Sequence, residues 1–225
     1  HDEKQIMISV HGDDFTCSGA RPQLQWLESA LRDRYELTVG ARLGPGKSDD
    51  REGLVLNRVV RWTERGIEYE ADQRAIAVTT PGVKTATSTG EGVLGEAGAR
   101  RYRALAARAN YLAADRPDVI FAAKEICRLM AKPTDLAMSA LKRLGRYLRQ
   151  RPRLVFCLPL QSADKWDVYT DTDWAGCKSS RKSISGGIAM LGSHILKTYL
   201  STQSVIALSS GEAEYYGMVK AAGAG

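Results

Sequence analysis

Apolar positions along this chain of 225 residues fall into runs of two different periods. Residues 6–10, Ile-Met-Ile-Ser-Val, make a β-type run, and His11-Gly12-Asp13-Asp14 turns it into Phe15-Thr16-Cys17, which predicts a hairpin. From Pro22 to Tyr35 the period changes. Leu24, Leu27, Leu31 and Tyr35 recur every three to four residues, as on a helix with one face on a core, and Pro22 suits the first turn. Leu37-Thr38-Val39 reads as a short strand and residues 44–50 as an exposed loop. Leu54–Trp62 and Ile67–Glu70, separated by a turn at 63–66, read as the two arms of a hairpin. This first part is therefore an α+β arrangement.

Residues 81–99, rich in Gly, Thr and Ser, predict a linker or mobile loop. Three helical stretches follow as far as Gln150. Their apolar stripes include Tyr102, Leu105 and Leu112, then Ile120, Ala123 and Ile126, then Leu136, Leu144 and Leu148. Arg116-Pro117-Asp118 and Lys132-Pro133 punctuate them, and Thr134 is a fair N-cap for the third. Residues 154–160 form an apolar strand, and a β-type run at Val168-Tyr169-Thr170 delivers Asp171 and Asp173 at its end. Further apolar runs at Ile188–Leu191 and Val205–Leu208 predict neighbouring strands, and a helix then opens with Glu212 and Glu214 in its first turn.

Composition narrows the possibilities. A 44% hydrophobic and 7% aromatic chain of this length has room for one large domain or two small ones with a sizeable core. Its net charge of +6 favours a polyanionic partner. The basic excess is concentrated in the helical part, where Lys142, Arg143, Arg146 and Arg149 crowd one helix and Arg153 follows it; Arg181 and Lys182 add charge in the later loop. Such a surface can track a phosphate backbone, although solvation of exposed helix faces accounts for basic residues equally simply. The four cysteines are widely spaced, which argues against zinc ligation and for a reducing, intracellular compartment in the cytoplasm or nucleus. No apolar run is long enough to span a membrane, and no signal peptide opens the chain. Because the first residues run straight into a strand, a piece of a longer polypeptide is expected.

The carboxylates carry the candidate chemistry. Asp13 and Asp14 are adjacent in a turn, where they repel unless water or a cation screens them; an ordinary Gly-Asp turn is an equally good reading. Carboxylates at a strand end and on a neighbouring helix can converge on divalent cations, as in two-metal phosphodiester chemistry.

In this order the motifs resemble the polymerase polyprotein of copia-type retrotransposons, over a span from the reverse-transcriptase palm into the ribonuclease H domain. His11-Gly12-Asp13-Asp14 matches the family's Tyr-x-Asp-Asp. Arg116-Pro117-Asp118, Asp171-Thr172-Asp173-Trp174-Ala175-Gly176, Lys182–Gly186 and Ala207–Tyr215 match four later motifs. The resemblance implies an α+β chain in three parts: residues 1–72 as the C-terminal half of the palm, 73–153 as linker and helical thumb or connection, and 154–225 as part of a ribonuclease H-like mixed sheet. It implies Asp13 and Asp14 as palm metal ligands, with Asp171 and Glu214 as the first two ribonuclease H carboxylates and Glu212 a poorer match than Glu214. Magnesium, or manganese, would be the cofactor and an RNA–DNA hybrid the substrate. His11 departs from the family's tyrosine and would alter the floor of the nucleotide site. The third palm carboxylate and the remaining ribonuclease H carboxylates have no match here, so both sites are expected to be incomplete and the chain weak or inactive alone. Half a sheet would also leave an edge and an apolar face for the rest of a polyprotein or a partner chain to cover. The alternative is a domesticated, non-catalytic nucleic-acid-binding or structural subunit.

Overall fold

The run Leu54–Trp62, read as one strand, is in fact broken by a tight turn. Leu56 and Asn57 both adopt left-handed backbone, with φ of 49° and 65°. Two successive residues of that kind form the turn whose twist suits a two-residue hairpin. The computed structural model describes residues 1–71 and 92–223, and it places β3 (Glu52–Val55) and β4 (Arg58–Thr63) on either side of this turn. β5 (Gly66–Glu70) pairs with β4, and β6 (Val155–Pro159) pairs with β5, giving an antiparallel sheet of order β3-β4-β5-β6. The apolar strand at 155–159 thus completes the sheet begun a hundred residues earlier rather than joining the acidic strand that follows it. The boundary at 72 and most of the expected linker lie outside the described residues.

Ahead of this sheet, β1 (Met7–His11) and β2 (Asp14–Ser18) form the expected hairpin, with His11 opposite Asp14. Helix α1 (Arg21–Arg32) begins with Pro22 in its first turn. Its Leu24, Leu27 and Leu31 are only half-buried and Tyr35 is exposed, so the stripe does not enter a core as expected. An ion pair from Arg21 to Asp49 ties the helix start to the loop at 44–50. Residues 37–39 form no strand, and no described strand pairs with them.

The core belongs to the helices α2 (Glu96–Ala113), α3 (Ile120–Arg128) and α4 (Asp135–Gln150). Tyr102, Leu112, Ala123, Ile126, Leu144 and Leu148 meet there, as their helical spacing predicts. The Thr134 side chain caps α4 by accepting from the Ala137 N–H at 3.2 Å. Between α2 and α3, Arg116 is fully buried. It clamps Asp118 with Nε–Oδ1 and Nη2–Oδ2 distances of 2.9 and 2.8 Å and donates to the Arg151 carbonyl at 2.9 Å. The Arg-Pro-Asp motif therefore locks the helical layer to the exit of α4.

A third antiparallel sheet joins β7 (Trp166–Asp173), β8 (Ile184–Leu191) and β9 (His194–Thr202), and α5 (Ser210–Ala222) packs on it. The expected strand at 205–208 does not form: Leu208 is 86% exposed and the segment is irregular. β9 takes its place, returning from β8 through a two-residue turn at Gly192-Ser193, where Gly192 has φ of 55°. With helices segregated from antiparallel sheets, the fold class is α+β. Among the described residues no helix is long and apolar enough to cross a membrane.

Candidate functional site

Strand β7 sorts its side chains by the pleat, because successive residues point to opposite faces. Thr170 and Thr172 face α5: the Thr172 hydroxyl lies 3.1 Å from that of Ser185, and Thr170 donates to the Gly186 carbonyl at 3.0 Å. Ala213, Gly217 and Ala221, spaced four apart, are the buried face of α5. Gly217 lets the helix approach so closely that a Cβ there would come within 2.4 Å of Thr172 Oγ1. Asp171 and Asp173 consequently stand on the other face of β7, and both are exposed.

The start of α5 separates its two glutamates. Ser209 accepts from the Glu212 N–H at 3.1 Å, and Glu212 in turn accepts from the Leu208 N–H at 2.7 Å and from the Tyr216 hydroxyl at 3.1 Å. Glu212 is thus engaged in capping the helix. Glu214, half-buried beside Ala213, takes no part in that cap. The Trp174 indole donates to the Ala207 carbonyl at 3.1 Å, linking the end of the acidic strand to the approach of the helix. Asp171 and Glu214 therefore sit on two elements in direct contact, yet from opposite sides of the β7 pleat.

Asp13 lies in the β1–β2 turn and Asp14 at the start of β2, both exposed. Asp14 and His11 border a cleft whose opposite wall is Leu56, Asn57, Arg58 and Tyr111. Arg58 is already committed, since its Nε donates to both Asp115 oxygens at 2.9 and 3.0 Å. Tyr69 also donates to Asp115, and burial, with this partner second, raises its hydroxyl pKa. Among the described residues no group of three or more His, Cys, Asp or Glu side chains is placed to hold a metal ion. The donor set present does not amount to a two-metal site at either position.

The basic candidates divide in the same way. On α4, Leu141, Leu144 and Leu148 are buried; Arg143 and Arg149 are exposed, while Lys142 and Arg146 are half-buried. Arg181 is exposed in the loop before β8, whereas Lys182 is anchored by its Nζ to the Ser204 carbonyl at 2.5 Å. Arg153, grouped by sequence with the solvated basic residues, instead clasps the buried Glu70.

Cys177 was not among the residues singled out from the sequence, yet its surroundings are distinctive. Its sulfur accepts from Ser180 Oγ at 2.8 Å and Arg128 Nη1 at 3.1 Å and lies 3.4 Å from Ser179 Oγ. The serine hydroxyls first, then the Ser180 backbone and Arg128, outweigh burial and bring the thiol pKa down to about 6. The Cys177-Lys-Ser-Ser spacing hinted at the hydroxyls, but Arg128 arrives only through tertiary packing.

The chain is 36% identical over 114 residues to the retrovirus-related Pol polyprotein from transposon RE1 of Arabidopsis thaliana, a match covering 51% of this chain and 8% of that polyprotein. It is 33% identical over 116 residues to the uncharacterized mitochondrial protein AtMg00810 of the same plant, covering 51% of this chain and 48% of that protein. It is also 32% identical over 106 residues to the secreted RxLR effector protein 161 of Plasmopara viticola, covering 47% of this chain and 75% of the effector. The matches thus span half or less of the two Arabidopsis relatives. No protein-family model matches the chain, and no solved structure does.

Proposed function

We propose that this chain, which is similar over half its length to a retrovirus-related transposon Pol polyprotein, is the part of a reverse transcriptase/ribonuclease H that engages RNA–DNA hybrids. The observation that carries this reading is the packing of the Asp171 strand directly against the Glu214 helix, within a chain similar in sequence to a transposon polyprotein. Exposed Arg143 and Arg149 on α4 and Arg181 in the β7–β8 loop supply positive charge for the phosphate backbone. Two-metal hydrolysis with magnesium or manganese requires carboxylates beyond Asp171 and Glu214, and polymerisation requires more than Asp13 and Asp14. The purified chain is therefore expected to bind hybrid without cleaving it.

Fluorescence anisotropy with RNA–DNA hybrid, duplex DNA and an unrelated polyanion, each across a salt series, tests this. Tighter binding to hybrid with a steep salt dependence supports the reading. Equal, weak binding to all three overturns it.

A second reading is a non-catalytic binding or structural subunit derived from the same ancestor. It is favoured by the lack of a metal-holding group among the described residues. It predicts that Asp13→Asn, Asp14→Asn and Asp171→Asn change no activity of a longer polyprotein chain containing this sequence. Loss of hybrid cleavage on Asp171→Asn in that longer chain excludes it.

A further inference from the structure

We propose that Gln203 is the residue that positions Glu214 with respect to Asp171, by bridging the strand pair that carries one to the helix that carries the other. Gln203 directly follows β9, and its backbone N–H donates to the Ser183 carbonyl at 2.8 Å, which fixes the root of the side chain beside the start of β8. Its amide nitrogen donates to Ser185 Oγ at 2.9 Å and to the Ala213 carbonyl at 2.8 Å. A primary amide nitrogen carries two hydrogens, and both are used. Because the Ala213 carbonyl can only accept, the amide cannot be turned round.

Each end of this bridge lies next to a carboxylate. Ser185 stands opposite Thr172 in the β7–β8 register, and its hydroxyl lies 3.1 Å from that of Thr172, the residue after Asp171. Ala213 is in the first turn of α5, immediately before Glu214. Thr172, Ser185 and Ala213 are all buried. Gly217 brings α5 close to β7 one turn further on. A glycine contact limits approach but not small sliding or rotation of the helix, whereas two directed hydrogen bonds at the first turn restrict both.

Stability alone does not account for a glutamine at this position. Its Oε1 is buried and has no hydrogen-bond partner among the described residues, which destabilises the fold. An apolar side chain of similar length avoids that cost and strands neither acceptor. Ser185 keeps Thr172, and the Ala213 carbonyl keeps the bond an α-helix gives it from the residue four further on. What the amide adds is a fixed relation between the two elements. The inference rests on the reading of Asp171 and Glu214 as ribonuclease H carboxylates; the bridge between their elements does not.

The first test needs no activity. Nitroxide labels at Asp171→Cys and Glu214→Cys, in the purified chain with its four native cysteines changed to serine, report the separation by dipolar EPR. One narrow distribution is expected with Gln203 in place. Gln203→Met and, separately, Gln203→Leu should broaden or shift it, with circular dichroism matching the parent and a melting temperature unchanged or higher. An unchanged distribution in either folded variant overturns the proposal. The second test uses a longer polyprotein chain that contains this sequence and cleaves hybrid. There the same variants should lower kcat by about tenfold or more with KM for hybrid unchanged, since a small misplacement of a reacting group costs up to about a hundredfold. A kcat equal to the parent's also overturns it. A longer chain that cleaves equally well with Asp171→Asn ends the ribonuclease H reading instead, and the EPR distributions still decide whether Gln203 positions Glu214.

Discussion

Arg153 closes on Glu70 across 83 residues of sequence, its Nε and Nη2 reaching the two carboxylate oxygens at 2.7 and 2.8 Å. Glu70 is 1% exposed and also accepts from Arg61 Nη1 at 2.8 Å. The contact ties the exit of α4 to β5 just before β6 joins that strand, so it sets where the helical layer meets the four-stranded sheet.

Removing both guanidiniums takes two charged donors from this buried carboxylate. Arg61→Met combined with Arg153→Met should destabilise the chain by about 3–5 kcal/mol in urea unfolding, the usual cost of breaking a buried pair from one side. Each single change should cost much less, because the other arginine remains and both are partly exposed. A double variant as stable as the parent would contradict this.

Gly217 and Thr172 set the spacing between α5 and β7. Gly217→Val adds bulk where a single carbon already falls 2.4 Å from Thr172 Oγ1. The overpacking should cost about 1–3 kcal/mol and lower the melting temperature. An unchanged melting temperature would mean that the helix does not lie this close to the strand in solution.

Cys177 gives stability a pH dependence of calculable sign. Its thiol pKa is lowered in the folded chain to about 6, from an ordinary value of 9.0. The thiolate therefore stabilises the fold fully above the unfolded value, and this contribution is lost as pH falls through the folded one. Between pH 9 and 6 the parent should lose thermal stability relative to Cys177→Ser. Superimposable pH profiles would remove the thiolate's contacts with Ser179 and Ser180 from the account.

Leu56 occupies a left-handed conformation that glycine adopts without strain. Leu56→Gly should be neutral or stabilising by up to about 1 kcal/mol, since a left-handed non-glycine residue costs about 1–2 kcal/mol. Clear destabilisation would show that the Leu56 side chain contributes more by packing than the turn costs.

Arg143→Glu with Arg149→Glu tests the basic helix. If both contact phosphates, the slope of log K against log salt for hybrid should shrink by about 1.4–1.8, roughly 0.7–0.9 per contact. An unchanged slope would move the nucleic-acid surface elsewhere.

Local chemistry determined much of this protein from sequence. The helices, the Thr134 cap, the β1–β2 hairpin and the order of the motifs follow from periodicity and from residues that act within one turn or one strand. The family resemblance preferred Glu214 to Glu212, and in the structure Glu212 is engaged in the helix cap. Tertiary structure alone decided the rest. β6 left the acidic strand for β5, Val205–Leu208 gave way to β9, and Arg58, Arg116 and Arg153 became internal counter-ions. Strand pairing and ion pairing join residues distant along the chain, and neither their partner nor their burial is written into the local pattern. The same physics placed Asp171 and Glu214 on touching elements but on opposite sides of a pleat, because the face a strand turns inward is set by the helix that packs on it.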